Sequence, residues 1–221
     1  MFDRIAPRYD RLNRLLSLGV DVRWRREAVR EALADEPAHV LDVATGTADL
    51  ALMLKRARPS ARVVGVDFAE AMLAVGRAKA SKAGLDVPLQ RADALALPFE
   101  DGGFDALTVA YGLRNFADVG AGLAEMRRVL RRGGRVVVLE FPPPPANLAG
   151  RALRWYGRTV MPTLGGWISG DRRAYAYLPA STEAFLTPEE LEVALVRSGF
   201  TRVRHRLQTY GVSALHVAVA A

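Results

Sequence analysis

The chain contains no cysteine, which removes disulfide scaffolds, thiolate metal sites and cysteine nucleophiles together. Histidine is scarce as well. His39, His205 and His216 stand far apart and form neither H-E-x-x-H nor H-x-x-E-H, so no metal is expected. No apolar run approaches the roughly 20 residues that span a bilayer. The charged opening Met1-Phe2-Asp3-Arg4 is not a signal peptide, so a cytoplasmic protein is expected. Acids are outnumbered, 24 against 31 basic residues, for a net charge of +7. That excess favours anionic partners, although arginines scattered over helices also make an ordinary solvated face. At 221 residues, 50% hydrophobic and 25% charged, the chain suits one α/β domain with a substantial core.

Hydrophobic periodicity predicts a helical N-terminal segment over residues 9–34. Strands and helices then alternate: strand 39–44, helix 47–57, strand 61–66, helix 70–83, strands 87–91 and 104–110, helix 118–131, strand 134–141. Short apolar strands interleaved with helices imply a mostly parallel sheet covered on both faces. Asp101-Gly102-Gly103 and Arg132-Gly133-Gly134 are turns that introduce strands. The four prolines Pro142 to Pro145 can extend neither a central strand nor a helix interior. The aromatic-rich stretch that follows ends near residue 187. Helix 188–198 and strands 201–208 and 212–220 complete the pattern, the last two as an antiparallel hairpin turning near Gly211. The reading is a single domain over residues 1–221, with an N-terminal helical cap (1–34) and a substrate-cap insertion after the fifth strand (142–187).

The most informative stretch joins Val40-Leu41-Asp42-Val43-Ala44-Thr45-Gly46-Thr47-Ala48-Asp49 to Val63-Val64-Gly65-Val66-Asp67. An apolar strand enters a small-residue turn, a helix begins, and a second strand ends in an acid. Asp67 follows Gly46 by about 20 residues, the spacing of a carboxylate that binds ribose hydroxyls. A dinucleotide would need the glycines of G-x-G-x-x-G, but those positions read Ala44, Gly46 and Ala48. Thr47 and Asp49 suit a helix N-terminus, and Asp49 would repel a phosphate. S-adenosylmethionine, which has no phosphate, fits this turn better. Ala48 is expected at negative φ with little strain.

Asp93, after the third strand, suits an adenine amino group, and Ala94 leaves room for the ring; the plainer reading of Asp93 is a turn residue. Tyr111-Gly112-Leu113-Arg114-Asn115-Phe116 follows strand 104–110, across the switch point from the cofactor turn, where a substrate belongs. Arg114 and Asn115 are donor-rich and could hold a phenolic oxygen.

With these segments in place, the chain resembles the UbiE/MenG/Coq5 family, the C-methyltransferases of menaquinone and ubiquinone synthesis. The resemblance spans Phe2 to the last strand and is carried by Tyr9-Asp10, Asn13, Trp24-Arg25, Leu97-Pro98-Phe99, Gly112-Leu113-Arg114-Asn115, Leu139-Glu140-Phe141, Gly170-Asp171 and Ala214-Leu215-His216. It implies a Rossmann-like class I methyltransferase: a mostly parallel seven-stranded sheet, an antiparallel C-terminal hairpin, N-terminal helices and a helical insertion after the fifth strand. It also implies S-adenosylmethionine held by Thr47 and Gly46 in the turn, by Asp67, and by Asp93 with Ala94. Four positions depart from the family pattern: Ala48 for glycine, Asp21 for histidine, Arg132 for proline and Pro142 for serine.

The reaction that the resemblance implies is methylation of a prenylated quinol ring carbon. Demethylmenaquinol is the leading acceptor, and a 2-methoxy-6-polyprenyl-1,4-benzoquinol the alternative. Arg114 and Asn115 would act as oxyanion and orientation groups, with Tyr9 closing over the ring. Asp10, His216 or a water held by Arg114 would be the base. The insoluble tail implies transient contact with the inner membrane surface through residues 146–187 and the Arg-rich segment 4–30. An RNA methyltransferase is disfavoured, so no nucleic-acid partner is expected: the loop after the fourth strand is not an Asn-Pro-Pro-Tyr type and there is no added RNA-binding domain. Intact Asp67, Asp93 and Arg114 argue against a non-catalytic scaffold. The oligomeric state, a homodimer included, is left open.

Overall fold

The computed structural model describes Asp10, Arg14, residues 17–160 and residues 179–221. Its elements are α1 (Asp21–Ala32), β1 (His39–Val43), α2 (Asp49–Ala57), β2 (Arg62–Asp67), α3 (Glu70–Ala83), β3 (Leu89–Arg91) and β4 (Phe104–Ala110), then α4 (Val119–Val129), β5 (Leu130–Glu140), α5 (Leu148–Trp155), α6 (Pro188–Arg197), β6 (Phe200–Gln208) and β7 (Ser213–Ala220). The seven strands lie in the order β3-β2-β1-β4-β5-β7-β6. Every pairing from β3 across to β5 is parallel. β7 runs antiparallel to both β5 and β6. This is the expected sheet, with its C-terminal hairpin.

Alternation along each strand builds two cores. Val40, Val63, Ala106 and Val137 pack on one face with Trp24, Leu52 and Leu73. Leu41, Val64, Leu107 and Val138 pack on the other with Leu123, Met126 and Leu195. Strands buried on both faces need apolar residues at successive positions, which is why these segments read as continuous hydrophobic runs. Helix α6 starts with a full capping box: Glu190 N donates to the Thr187 hydroxyl oxygen (3.2 Å) and Thr187 N to Glu190 Oε2 (2.8 Å). Pro188 occupies the first turn, where its missing N–H is harmless.

Most boundaries fall within two residues of the periodicity reading, and three differences have a clear cause. The helix expected over residues 9–34 is interrupted at Leu18 and Gly19, whose φ angles of 52° and 77° are left-handed; α1 therefore starts only at Asp21. Strand β3 starts at Leu89 rather than residue 87, because Pro88 offers only its carbonyl, which accepts from Gly65 N at 2.9 Å. Strand β5 starts at Leu130, which pairs with Phe104 across a register shift. The Gly133 turn, with φ 76°, lies inside that strand instead of before it.

Because β1 is flanked by β2 and β4, the topological switch point lies between β1 and β4. The turn after β1 and the loop after β4 meet there, and a Cβ on Gly112 would collide with the Ala44 Cβ. Only glycine lets the two loops close on each other at that point.

Candidate active site

The turn after β1 is tighter than alanine favours. Ala44, Gly46 and Ala48 have φ angles of 52°, 56° and 64°. The expectation of a relaxed, negative-φ Ala48 is therefore corrected, at about 1–2 kcal/mol for each left-handed alanine. The geometry is imposed from both sides. Ala48 N donates to Thr45 O and Leu52 N to Ala48 O, each at 2.9 Å. Ala48 is fully buried, and a Cβ on Gly76 of α3 would come within 3.1 Å of the Ala48 Cβ.

Asp67, at the end of β2, accepts from Gly46 N through Oδ2 and from Ala69 N through Oδ1, both at 2.8 Å. It thus ties the glycine turn to the start of α3 at the carboxyl end of β2. Asp93 is exposed and accepts from Leu95 N at 2.9 Å, closing a turn in which Ala94 is half-buried. The structure places Gly46, Asp67, Asp93 and Ala94 along the carboxyl ends of β1, β2 and β3, as the sequence suggested. Thr47 differs in detail. Helix α2 has no side-chain cap, and the Thr47 hydroxyl donates instead to Asp10 Oδ1 at 2.5 Å.

Under this turn lies a small cavity of about 40 Å³ lined by Asp10, Arg25, Asp42, Thr47, Asp49 and Tyr111, among others. Asp42 is fully buried. It accepts from Thr108 Oγ1 (2.5 Å) and Thr45 Oγ1 (2.6 Å), and burial lifts its pKa to about 6, against the opposing pull of those hydroxyls and Arg25. Three carboxylates and one guanidinium make this wall net negative. Such a wall suits a ligand bearing a sulfonium cation and repels pyrophosphate. The small-residue turn leaves the backbone accessible beside it, so the residues present fit S-adenosylmethionine.

The substrate side is organised around Arg114, on a 3₁₀ turn spanning Leu113–Asn115. Its guanidinium pairs through Nη1 with Glu140 Oε1, the two side chains being 5% and 2% exposed. The same nitrogen donates to Tyr111 O at 2.7 Å, and Arg114 Nε has no partner among the described residues. Asn115 Nδ2 donates to the same carbonyl at 3.4 Å. Arg114 and Asn115 are therefore brought together on one acceptor, Tyr111 O. Phe141 stacks on Tyr111 (4.4 Å between centroids, 20° between planes) and meets Trp24 edge-on at 6.0 Å.

Sequence reasoning gave Glu140 no role, although it ends its strand as Asp67 does, and that position was the available signal. It also passed over Asp42 and Lys79. His216, one of the candidate bases, does not line the cavity. Its Nε2 donates to Pro188 O at 3.0 Å, since a carbonyl only accepts, and its ring lies 5.3 Å from that of His205. Burial depresses its pKa to about 4. Tyr9 lies outside the described residues, as do Gly170 and Asp171. No group of acids and histidines able to hold a metal occurs among the described residues.

The model of the ubiE/COQ5 methyltransferase family matches residues 1–220. The chain belongs to that family. Among its relatives, a demethylmenaquinone methyltransferase of Thermus thermophilus is 58% identical over 98% of both chains. One of Deinococcus radiodurans is 52% identical over 98% of this chain and 90% of its own. Among solved structures, a SAM-dependent methyltransferase of Thermotoga maritima superposes with a TM-score of 0.66 at 20% identity, covering 100% of this chain and 98% of that one. That likeness concerns the fold alone.

Proposed function

We propose that this chain transfers a methyl group from S-adenosylmethionine to a ring carbon of demethylmenaquinol, as the names of its relatives state for them. The observation that carries this reading is the full-length membership of the ubiE/COQ5 family together with relatives at 52–58% identity. The whole chain works as one domain. Gly46, Thr47, Asp67, Asp93 and Ala94 hold the methyl donor, with Asp67 accepting from ribose hydroxyls as its bonds to Gly46 and Ala69 loosen or are shared. The donor supplies an electrophilic methyl on a sulfonium, a leaving group that needs no acid.

The chain's own contribution is alignment, exclusion of water and control of one proton. Arg114, steadied by Glu140, and Asn115 orient the quinol and stabilise the oxygen that turns anionic when its proton leaves. Tyr9 closes over the ring. Phe141 and Tyr111 form an apolar aromatic floor that keeps water away. The phenolic proton passes to a water held at Arg114, both carboxylate oxygens of Asp10 being taken up by Thr47 and Lys79. After methyl transfer the ring carbon loses its hydrogen as the ring rearomatises, and the oxygen regains a proton.

The prenyl tail requires transient contact with a membrane surface. Leu148 and Trp155 of α5 are 80% and 63% exposed, beside Arg151 and Arg154, a composition suited to a headgroup interface. No helix among the described residues is long and apolar enough to cross a membrane. Pelleting with anionic vesicles but not with neutral ones is the expected behaviour; equal recovery from both removes the membrane contact.

The test of the activity is methyl transfer to a short-chain demethylmenaquinol and to a benzoquinol precursor under identical conditions. A methylated naphthoquinol formed in step with S-adenosylhomocysteine is expected. Methylation of the benzoquinol alone overturns the choice of acceptor.

A further inference from the structure

Lys79 takes no part in the cavity wall, yet three residues that do are fastened to it. It projects from the third turn of α3, and its ammonium reaches Asp10 Oδ2 at 2.9 Å, Thr47 Oγ1 at 3.2 Å, and Asp49 Oδ1. An ammonium has three protons to donate, and all three are used. The partners come from three separate stretches of chain: the N-terminal segment, the turn after β1 and the first turn of α2. Asp10 is bound a second time by the Thr47 hydroxyl. Asp49 is bound a second time by Arg25, at 3.4 Å, and Arg25 pairs in turn with Asp21, also at 3.4 Å.

Without Lys79, the carboxylates of Asp10 and Asp49 would face each other across Thr47, with only Arg25, 3.4 Å from Asp49, left to offset them. Like charges at that range repel, and the side chain most easily displaced is Asp10. It would carry away the hydrogen bond that orients Thr47. The bridge is only partly screened, with Lys79, Asp10 and Asp49 side chains 28%, 25% and 19% exposed, so it is stronger than a surface pair of the same length.

We propose that Lys79 is a positioning residue: it holds Asp10, Thr47 and Asp49 in the wall of the methyl-donor cavity and so sets the affinity for S-adenosylmethionine. This inference rests on the reading of that cavity as the donor site. Lys79 does not line the cavity, so on this proposal its loss weakens donor binding without changing the chemistry once the site is filled.

Donor binding by calorimetry and initial rates, measured on the full chain, supply the test. Lys79→Met should raise both Kd and KM for S-adenosylmethionine about tenfold, the scale of one charge-assisted network, with kcat within about twofold and KM for the quinol unmoved. Lys79→Arg should recover most of the loss. Asp10→Asn should weaken donor binding similarly, and the double variant should be no worse than the poorer single one, because both break one network. Unchanged donor affinity in Lys79→Met, a fall in kcat instead, or strict additivity would each overturn the proposal. Asp67→Ala separates this result from failure of the underlying reading. If Asp67→Ala also binds the donor normally, the cavity assignment is wrong. If it alone loses binding, only the role of Lys79 falls.

Discussion

The acids at the ends of β1 and β2 are held by neutral donors, whereas the acid at the end of β5 is held by a cation. Asp42 is met by two threonine hydroxyls and Asp67 by two backbone N–H groups. Glu140 is met by the guanidinium of Arg114. In the proposed donor half, Asp42 and Asp67 therefore keep their negative charge, while Asp10 and Asp49 are partly offset by Lys79 and Arg25. The proposed acceptor half, where Arg114 and Glu140 neutralise each other, would suit an uncharged lipophilic quinol that gains an oxyanion only during reaction. One sheet edge thus carries two electrostatic regimes on either side of its switch point.

The largest effects should come from breaking the neutral half. Removing one member of a buried ion pair costs about 3–5 kcal/mol, because the other charge is left uncompensated. Arg114→Ala should lose that much in urea unfolding and at least about a hundredfold in turnover. Arg114→Met combined with Glu140→Leu should recover most of the stability but none of the turnover. Recovery of both would reduce the pair to packing.

The next contrast is in pH dependence. Asp42 has its pKa raised from 3.8 to about 6, chiefly by burial. The folded state binds that proton more tightly, so stability present below pH 4 is lost as the pH rises through 6, by about 3 kcal/mol. His216 has its pKa lowered from 6.5 to about 4, again chiefly by burial, so stability present above pH 6.5 is lost as the pH falls toward 4, by a similar amount. The two slopes oppose each other between pH 4 and 6. Asp42→Asn should expose the histidine slope, with stability dropping on acidification, and His216→Gln the aspartate slope, with stability rising. Urea midpoints across that range check both, and parallel curves for the two variants would contradict the assignment.

The smallest effect concerns the turn. Ala48→Gly relieves about 1 kcal/mol of left-handed strain and gives up a buried methyl worth about 0.8 kcal/mol. Thermal melts should place the variant within about 0.5 kcal/mol of the parent.

The sheet was legible because strands buried on both faces must be apolar throughout, and the hairpin because its two strands are separated by a short glycine-containing turn. The place of Asp67 at the end of β2 was legible from spacing. The left-handed φ angles at Ala44 and Ala48 were not, since they are set by Gly76 and by the loop at Gly112, both distant in sequence. The Arg114–Glu140 pair was half legible: both residues stood in recognisable segments, but only the parallel pairing of β4 with β5 brings them together. Lys79 gave no signal at all, as a lysine on a helix is ordinarily a solvated one.

The separation of the two halves is tested most directly by measuring both Michaelis constants in Asp67→Ala and Arg114→Ala. Asp67→Ala should raise KM for S-adenosylmethionine about tenfold or more, the scale of losing charge-assisted bonds to the ligand, and leave KM for the quinol in place. Arg114→Ala should lower turnover and leave donor affinity intact. If each variant shifts both constants together, the division of the site into a charged donor half and a neutral acceptor half is wrong.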